Sequence, residues 1–257
     1  MEEGPDETAA RQVAQALLEG REVTDAQFDA LLPERPRSFS KTFWTPVAVA
    51  VELCAWLRPL RAERLLDVGS GPGKLCAIAS LLLGRKVYGV EQRPHLAATA
   101  RALAASLGAQ VEIRDRTFDQ VDAGEFDAFY FYNPFAEHVS EAPDQFDQSV
   151  AFSDDRYFDD MQTVEGWLNA AGAGTTLVTY HGMGGRIPDS FHLEKEARVG
   201  ADLLRLWVKQ AHPAKDFFIE VDDTLQTGAE MRALMNRLNV TEEESPLLTR
   251  LVSLGRK

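Results

Sequence analysis

Apolar and polar positions change rhythm along the chain, and each change marks an element. Ala9 to Leu18 repeats its apolar residues at helical spacing. Thr24 to Leu32 does so again, with Thr24 as a cap ahead of Asp25-Ala26-Gln27. Pro33 and Pro36 break that pattern, and Ser38-Phe39-Ser40-Lys41-Thr42-Phe43-Trp44-Thr45-Pro46 reads as an aromatic-rich loop. An apolar helix follows from Val47 to about Arg58, closed by Pro59. Short apolar runs then alternate with longer helical ones. Strands are predicted over Arg64 to Val68, Lys86 to Glu91, Gln110 to Arg114, Ala128 to Tyr132 and Thr175 to Tyr180. Helices are predicted over Lys74 to Leu83, Pro94 to Leu107 and about Phe158 to Ala170. This alternation predicts an α/β protein with a parallel sheet.

After Tyr180 the pattern changes. Phe191 to Arg198, a turn at Val199-Gly200-Ala201-Asp202, and Leu203 to Lys209 predict an antiparallel hairpin added to the sheet. Beyond Pro213 only Thr227 to Leu238 and Leu247 to Leu254 read as helices. The expected organisation is an N-terminal helical extension over residues 1–41, a main domain over 42–212, and a C-terminal extension over 213–257 packed on it.

The candidate chemistry lies where the predicted strands end. Leu65-Leu66-Asp67-Val68-Gly69-Ser70-Gly71-Pro72-Gly73-Lys74 reads as strand, tight turn and helix, with three glycines at alternate positions. Such a turn lets backbone approach a ligand closely, and the helix after it presents free N–H groups to an anion. Glu91, with Gln92 beside it, ends the second strand, where an acid can accept both hydroxyls of a ribose. Asp115 follows the third strand, where an adenine amino group could be met; pairing with Arg114 and Arg116 is the competing reading. Asn133-Pro134-Phe135 follows the fourth strand, and Tyr180-His181-Gly182 closes the fifth. Ligands of open α/β sheets bind at the carboxyl ends of strands, so the agreement of these positions counts for more than any one of them.

Composition narrows the partners. The 257 residues are 45% apolar, enough for one well-filled core. The net charge of -13 should repel a phosphate backbone, which speaks against nucleic acid. No run approaches the ~20 apolar residues of a membrane span, and the acidic opening Met1-Glu2-Glu3-Gly4-Pro5-Asp6 predicts no secretory signal. Cys54 and Cys76 sit in apolar helical settings and read as buried thiols of a cytoplasmic protein. The five histidines show no zinc-ligand spacing, so no metal is expected. Glu137, Asp144, Asp147, Asp154 and Asp155 could attract a cationic acceptor; an ordinary solvated acidic loop is the competing reading.

Residues 42 to 210 resemble the class I, Rossmann-like S-adenosylmethionine-dependent methyltransferases. Asp67-Val68-Gly69-Ser70-Gly71-Pro72-Gly73 looks like the family's glycine-rich first motif, and its spacing differs from the one many dinucleotide enzymes use. The resemblance implies a Rossmann-like seven-stranded mixed sheet with a terminal antiparallel hairpin and helices on both faces. It implies S-adenosyl-L-methionine as cofactor, with Asp67, Gly69, Ser70, Gly71 and Gly73 at the methionine moiety. Glu91 and Gln92 would then hold the ribose, Asp115 the adenine amino group, and Thr45 and Trp44 would close over the methionine end. In amino-group methyltransferases an Asn/Asp-Pro-Pro-aromatic motif follows the fourth strand; Asn133-Pro134-Phe135 is a shortened likeness with one proline. By that likeness Asn133 would orient an incoming amine, and Phe135 and Tyr132 would offer ring faces to a cation.

Methyl transfer is an in-line displacement that needs alignment more than a strong acid. The resulting expectation is methyl transfer to a nitrogen of a protein or small-molecule acceptor, with oligomeric state open. The alternatives are a non-catalytic binding protein of the same fold and an NAD-dependent oxidoreductase. His181 is placed where a base could sit, against a purely structural role.

Overall fold

Seven strands form one sheet: β1 (Leu65–Val68), β2 (Val87–Glu91), β3 (Val111–Asp115), β4 (Ala128–Phe131), β5 (Thr176–Tyr180), β6 (Phe191–Val199) and β7 (Asp202–Lys209). Their order is β3-β2-β1-β4-β5-β7-β6, parallel through β5 and antiparallel in the β5–β7 and β7–β6 pairs. The structure, a computed structural model, describes residues 6–60, 62–139 and 145–211. The helix candidates at 227–238 and 247–254, and the packing of the 213–257 extension, lie outside the described residues.

Every residue of β1, β4 and β5 is buried, because helices cover both faces of the sheet. Alternate side chains therefore enter two different cores. Leu65 and Tyr130 join a cluster that includes Leu53 of α5 (Val47–Leu57), Ile78 of α6 (Lys74–Leu83) and Leu96 of α7 (Pro94–Leu107). Leu66, Val68, Phe129 and Phe131 join the other, with Val164 and Leu168 of α8 (Asp154–Ala170). The N-terminal helix α1 (Glu7–Leu18) packs on α6 and α7, and its Ala10, Ala14 and Leu17 belong to the first core. Cys54 and Cys76 are buried free thiols. Among the described residues no helix is long and apolar enough to cross a membrane.

The structure corrects three boundaries. Thr24 and Gln27 form the predicted capping box, but α2 (Asp25–Asp29) ends before Leu32. The predicted aromatic loop holds two short helices, α3 (Glu34–Ser38) and α4 (Ser40–Phe43). Pro36 fits in α3 because it lies in the first turn, where a backbone N–H has no intrahelical partner to lose. Helix α8 starts at Asp154 rather than Phe158, since Ser153 caps it by accepting from the Arg156 N–H at 3.2 Å.

Strand β1 lies between β2 and β4, so the chain leaves it in one direction and returns on its other side. The loops after β1 and β4 diverge there and leave a crevice at the carboxyl ends of the strands.

Candidate functional site

The crevice begins with the loop after β1. Gly69 and Ser70 each donate a backbone N–H to the Val90 carbonyl at 3.0 Å, which turns the chain sharply off the strand. Gly69 and Gly71 have φ of 74° and 54°, the left-handed region that glycine tolerates. Both also permit close approach. A Cβ on Gly69 would lie 2.8 Å from the Pro134 Cβ, and one on Gly71 would lie 2.5 Å from the Trp44 ring. The glycines thus let the loop after β4 and the N-terminal aromatic segment close on β1. Gly73 caps α6, and the Ser70 hydroxyl is buried with no hydrogen-bond partner.

Two buried carboxylates flank this loop. Glu91 takes the Gly71 N–H at 2.9 Å on one oxygen and the Arg93 N–H at 2.8 Å on the other. Burial raises its carboxyl above the usual range, against the pull of Arg93 and of the Gly71 hydrogen bond. Asp67 is deeper: burial pushes its carboxyl up to about 7, a bond from the Cys76 thiol at 3.4 Å lowers it, and the charge of Glu91 raises it.

Across the crevice, Asn133 has φ of 38° and its N–H donates to the Gly182 carbonyl at 3.0 Å. Phe135 is 5% exposed and packs on Phe118 with ring centroids 4.9 Å apart. Tyr132 packs edge-on against Tyr180 at 5.2 Å.

The remaining wall comes from segments distant in sequence. Phe146 meets Phe39, Phe43 and Trp44 at centroid distances of 5.2, 6.5 and 5.5 Å. Arg35 donates to the Phe146 carbonyl at 2.5 Å. Arg93, 4% exposed, donates to both oxygens of Glu137 at 3.0 Å and to Asp147 at 3.2 Å. Its guanidinium lies between the rings of Phe146 and Phe152, at 5.5 and 5.6 Å. Deeper still, Asp160 binds both the His138 Nε2, at 3.1 Å, and the Arg156 Nε, at 2.8 Å.

These groups enclose a cavity of about 470 Å³. Gly69, Glu91, Gln92, Tyr132, Asn133, Pro134 and Phe135 all line it, so loops from β1, β2 and β4 converge on one space. A sequence profile described as "Methyltransferase domain" matches residues 66–151, the stretch that supplies those loops. The protein has a class I, Rossmann-like methyltransferase fold.

Within this methyltransferase fold several sequence candidates lie outside the cavity lining. Asp67 and the loop residues Ser70, Gly71 and Gly73 are not part of that lining; Thr45 is buried with Oγ1 3.0 Å from the Tyr130 hydroxyl. Asp115 is exposed at the end of β3, in register with Glu91. Trp44, Phe39, Phe43, Arg93, Arg116, Glu137, Arg156, Asp160 and His181 line the cavity as well. Arg93 in this lining, and Phe146 packed behind it, carried no local sequence signal, because their partners are far away along the chain. Glu137 and Asp147 are neither free to attract a cation nor a solvated loop: Arg93 pairs with both, and His95 Nε2 lies 3.1 Å from Asp147. Asp155 is exposed.

Solved structures are similar to this chain at low identity. An RNA methyltransferase from Salinibacter ruber, in complex with S-adenosyl-L-homocysteine, is 18% identical, with 67% of this chain and 97% of that chain covered and a TM-score of 0.48. The putative methyltransferase yhhF from Escherichia coli is 15% identical, over 63% of this chain and 86% of that one, with a TM-score of 0.46. A mutant of MtNAS in complex with S-adenosylmethionine is 19% identical, over 79% and 73%, with a TM-score of 0.44. No curated protein sequence gives a significant match.

Proposed function

We propose that this methyltransferase fold binds S-adenosyl-L-methionine in the cavity and transfers its methyl group to a nitrogen of a small-molecule or protein acceptor. The observation that carries the reading is the convergence of Glu91, Gly69 and Asn133-Pro134 on one space at the sheet's switch point. The residues fit such a cofactor. The cavity falls in the size range of small-molecule sites, about 300–1,000 Å³. Glu91 presents an acceptor-only group to ribose hydroxyls once ionised. Phe39, Phe43 and Trp44 offer ring faces to a cation. When bound, the cofactor supplies an electrophilic methyl carbon on a sulfonium. The chain aligns the acceptor: the Asn133 amide can accept from an amine without fixing a full charge. The net charge of -13 favours a small molecule or protein over nucleic acid. Packing of the Trp44 ring against Gly71 is the observation that favours the second reading, a binding protein without turnover.

Calorimetry tests the proposal. S-adenosylmethionine and S-adenosylhomocysteine should bind with Kd in the roughly micromolar range, and NAD should not bind. Glu91→Ala should weaken both by about tenfold or more, the scale of a lost charged hydrogen bond. Glu91→Gln, which keeps one acceptor for a backbone N–H, controls for loop collapse. Preferential NAD binding, or Glu91 variants that fold and bind normally, would remove the proposed site. Turnover with any acceptor excludes the non-catalytic reading.

A further inference from the structure

Among the described residues only Asn133 and His181 are non-glycine residues with positive φ, 38° and 58°. They lie just past adjacent strands β4 and β5, joined by the Asn133 N–H to Gly182 carbonyl bond of 3.0 Å, and both line the cavity. Left-handed backbone costs a non-glycine residue of order ~1–3 kcal/mol, so its surroundings must hold it. At His181 the holding group is visible: the Nδ1 donates to a carboxylate oxygen of Asp202 at the start of β7. Asp202 also accepts the Leu203 N–H at 2.6 Å, and that bond, with His181 and Arg198 nearby, holds its carboxyl below the usual range. A carboxylate on Nδ1 selects the tautomer in which Nε2 carries the lone pair. Among the described residues Nε2 has no protein partner, and the side chain is 59% exposed.

No other group on the cavity wall is as free to take a proton. Glu91 holds two backbone N–H groups, Glu137 is bound to Arg93, and Asp160 to Arg156 and His138. The Tyr132 ring lies 6.4 Å from His181; burial, then Tyr180 and Asp202, push its phenol up, so it stays protonated. Resting on the methyl-transfer reading above, we propose that His181, oriented by Asp202, is the proton acceptor for the nitrogen to be methylated, and that the acceptor is a primary or secondary amine. An ammonium has no lone pair. Its N–H proton passes to His181 Nε2, giving an imidazolium that the Asp202 carboxylate balances. The freed nitrogen pair then forms the N–C bond as the C–S bond breaks, with that bond's electrons remaining on sulfur. The imidazolium, open to solvent, releases the proton to water.

NMR of 15N-histidine-labelled protein tests this without a known acceptor. In its neutral form His181 should show a protonated Nδ1 and an unprotonated Nε2, and saturating S-adenosylhomocysteine should shift the Nε2 resonance. Asp202→Asn should move the tautomer balance toward Nε2–H. His181→Asn suits the left-handed backbone, which asparagine tolerates. It should keep S-adenosylhomocysteine affinity within about twofold, yet slow methyl transfer to small primary amines by ~100-fold, the low end for general base catalysis, and abolish the acid limb of the pH–rate profile. An Nε2–H tautomer in the wild type, or an unchanged rate and pH profile in His181→Asn, overturns the proposal. If S-adenosylhomocysteine binds and His181 does not respond, the His181–Asp202 pair alone fails. If it does not bind the wild type, the donor reading falls and takes this one with it.

Discussion

At the scale of single residues, Asp67 has the most displaced chemistry. Burial pushes its carboxyl up to about 7, while an unfolded aspartate titrates near ~3.9. Between those two pH values the folded protein holds a proton that the unfolded chain has lost. Asp67 therefore favours folding fully below ~3.9, loses that contribution as pH rises toward about 7, and changes nothing further above it. A displacement of this size corresponds to at most ~4 kcal/mol. Glu91 is shifted in the same direction by the same cause, so the wild-type slope alone does not isolate Asp67. Asp67→Asn does. It keeps the side-chain shape and an acceptor for the Cys76 thiol while removing the titration. Urea unfolding should give a clearly smaller loss of stability from pH 5 to pH 8 in Asp67→Asn than in the wild type. Parallel pH curves would show that Asp67 is already ionised in the fold. Asp67 was legible as an acid at a strand end, but its protonation depends on burial beneath the loop, which no local pattern encodes.

At the scale of elements, one ammonium group ties the N-terminal segment to the glycine-rich turn after β1. Lys74, first residue of α6, has a side chain 2% exposed. Its Nζ lies 2.6 Å from Asp25 and 2.7 Å from Asp29, both of α2, and 3.4 Å from the Ser40 hydroxyl of α4. Asp25 also accepts the Val47 N–H at 2.8 Å, so the start of α5 joins the same group. Removing one member of such a buried network leaves an uncompensated charge. Lys74→Ala should cost ~3–5 kcal/mol in urea unfolding, because Asp29 would stay buried alone. Lys74→Met with Asp29→Leu should recover most of that loss; a single-variant cost below about 1 kcal/mol would show that the network does not hold the segment. The elements differ in how far they could be read. Strands β1, β4 and β5 are apolar runs bounded by breakers, and the hairpin announces itself by its Gly200 turn, so all were legible. Helices α3 and α4 were not: Pro36 is a breaker everywhere except a first turn, and which case applies depends on where the helix starts. Lys74 was legible only as the position after Gly73, since its partners lie on elements with no shared period.

At the scale of the whole cavity, the strand-end loops supply only part of the enclosure. Phe146 is packed by the N-terminal aromatics, its carbonyl held by Arg35 and its N–H by Glu137 at 2.7 Å. Arg93, two residues beyond Glu91, then grips Glu137 and Asp147 on either side of it. Arg93, whose backbone N–H also donates to Glu91, thus ties the segment around Phe146 to the cavity wall. That tie was invisible in the sequence, where Glu137 and Asp147 were two acids among several in an acidic stretch. Arg93→Met separates the two parts of the contact: it keeps an apolar stem between Phe146 and Phe152 but removes the guanidinium that both acids share, leaving Glu137 the Phe146 N–H and Asp147 its contacts with His95 and Ser149. Amide exchange over residues 145–153 should then accelerate by about tenfold or more, as a segment held by a buried pair opens locally. S-adenosylhomocysteine should dissociate faster, by a similar factor, while Glu91 keeps its backbone partners. The wild-type contact is buried, so about 0.5 M salt should leave its exchange rates nearly unchanged, whereas an exposed ion pair would be screened. Unchanged exchange in Arg93→Met would mean that aromatic packing alone holds the segment, and that Arg93 only neutralises charge already buried beside it.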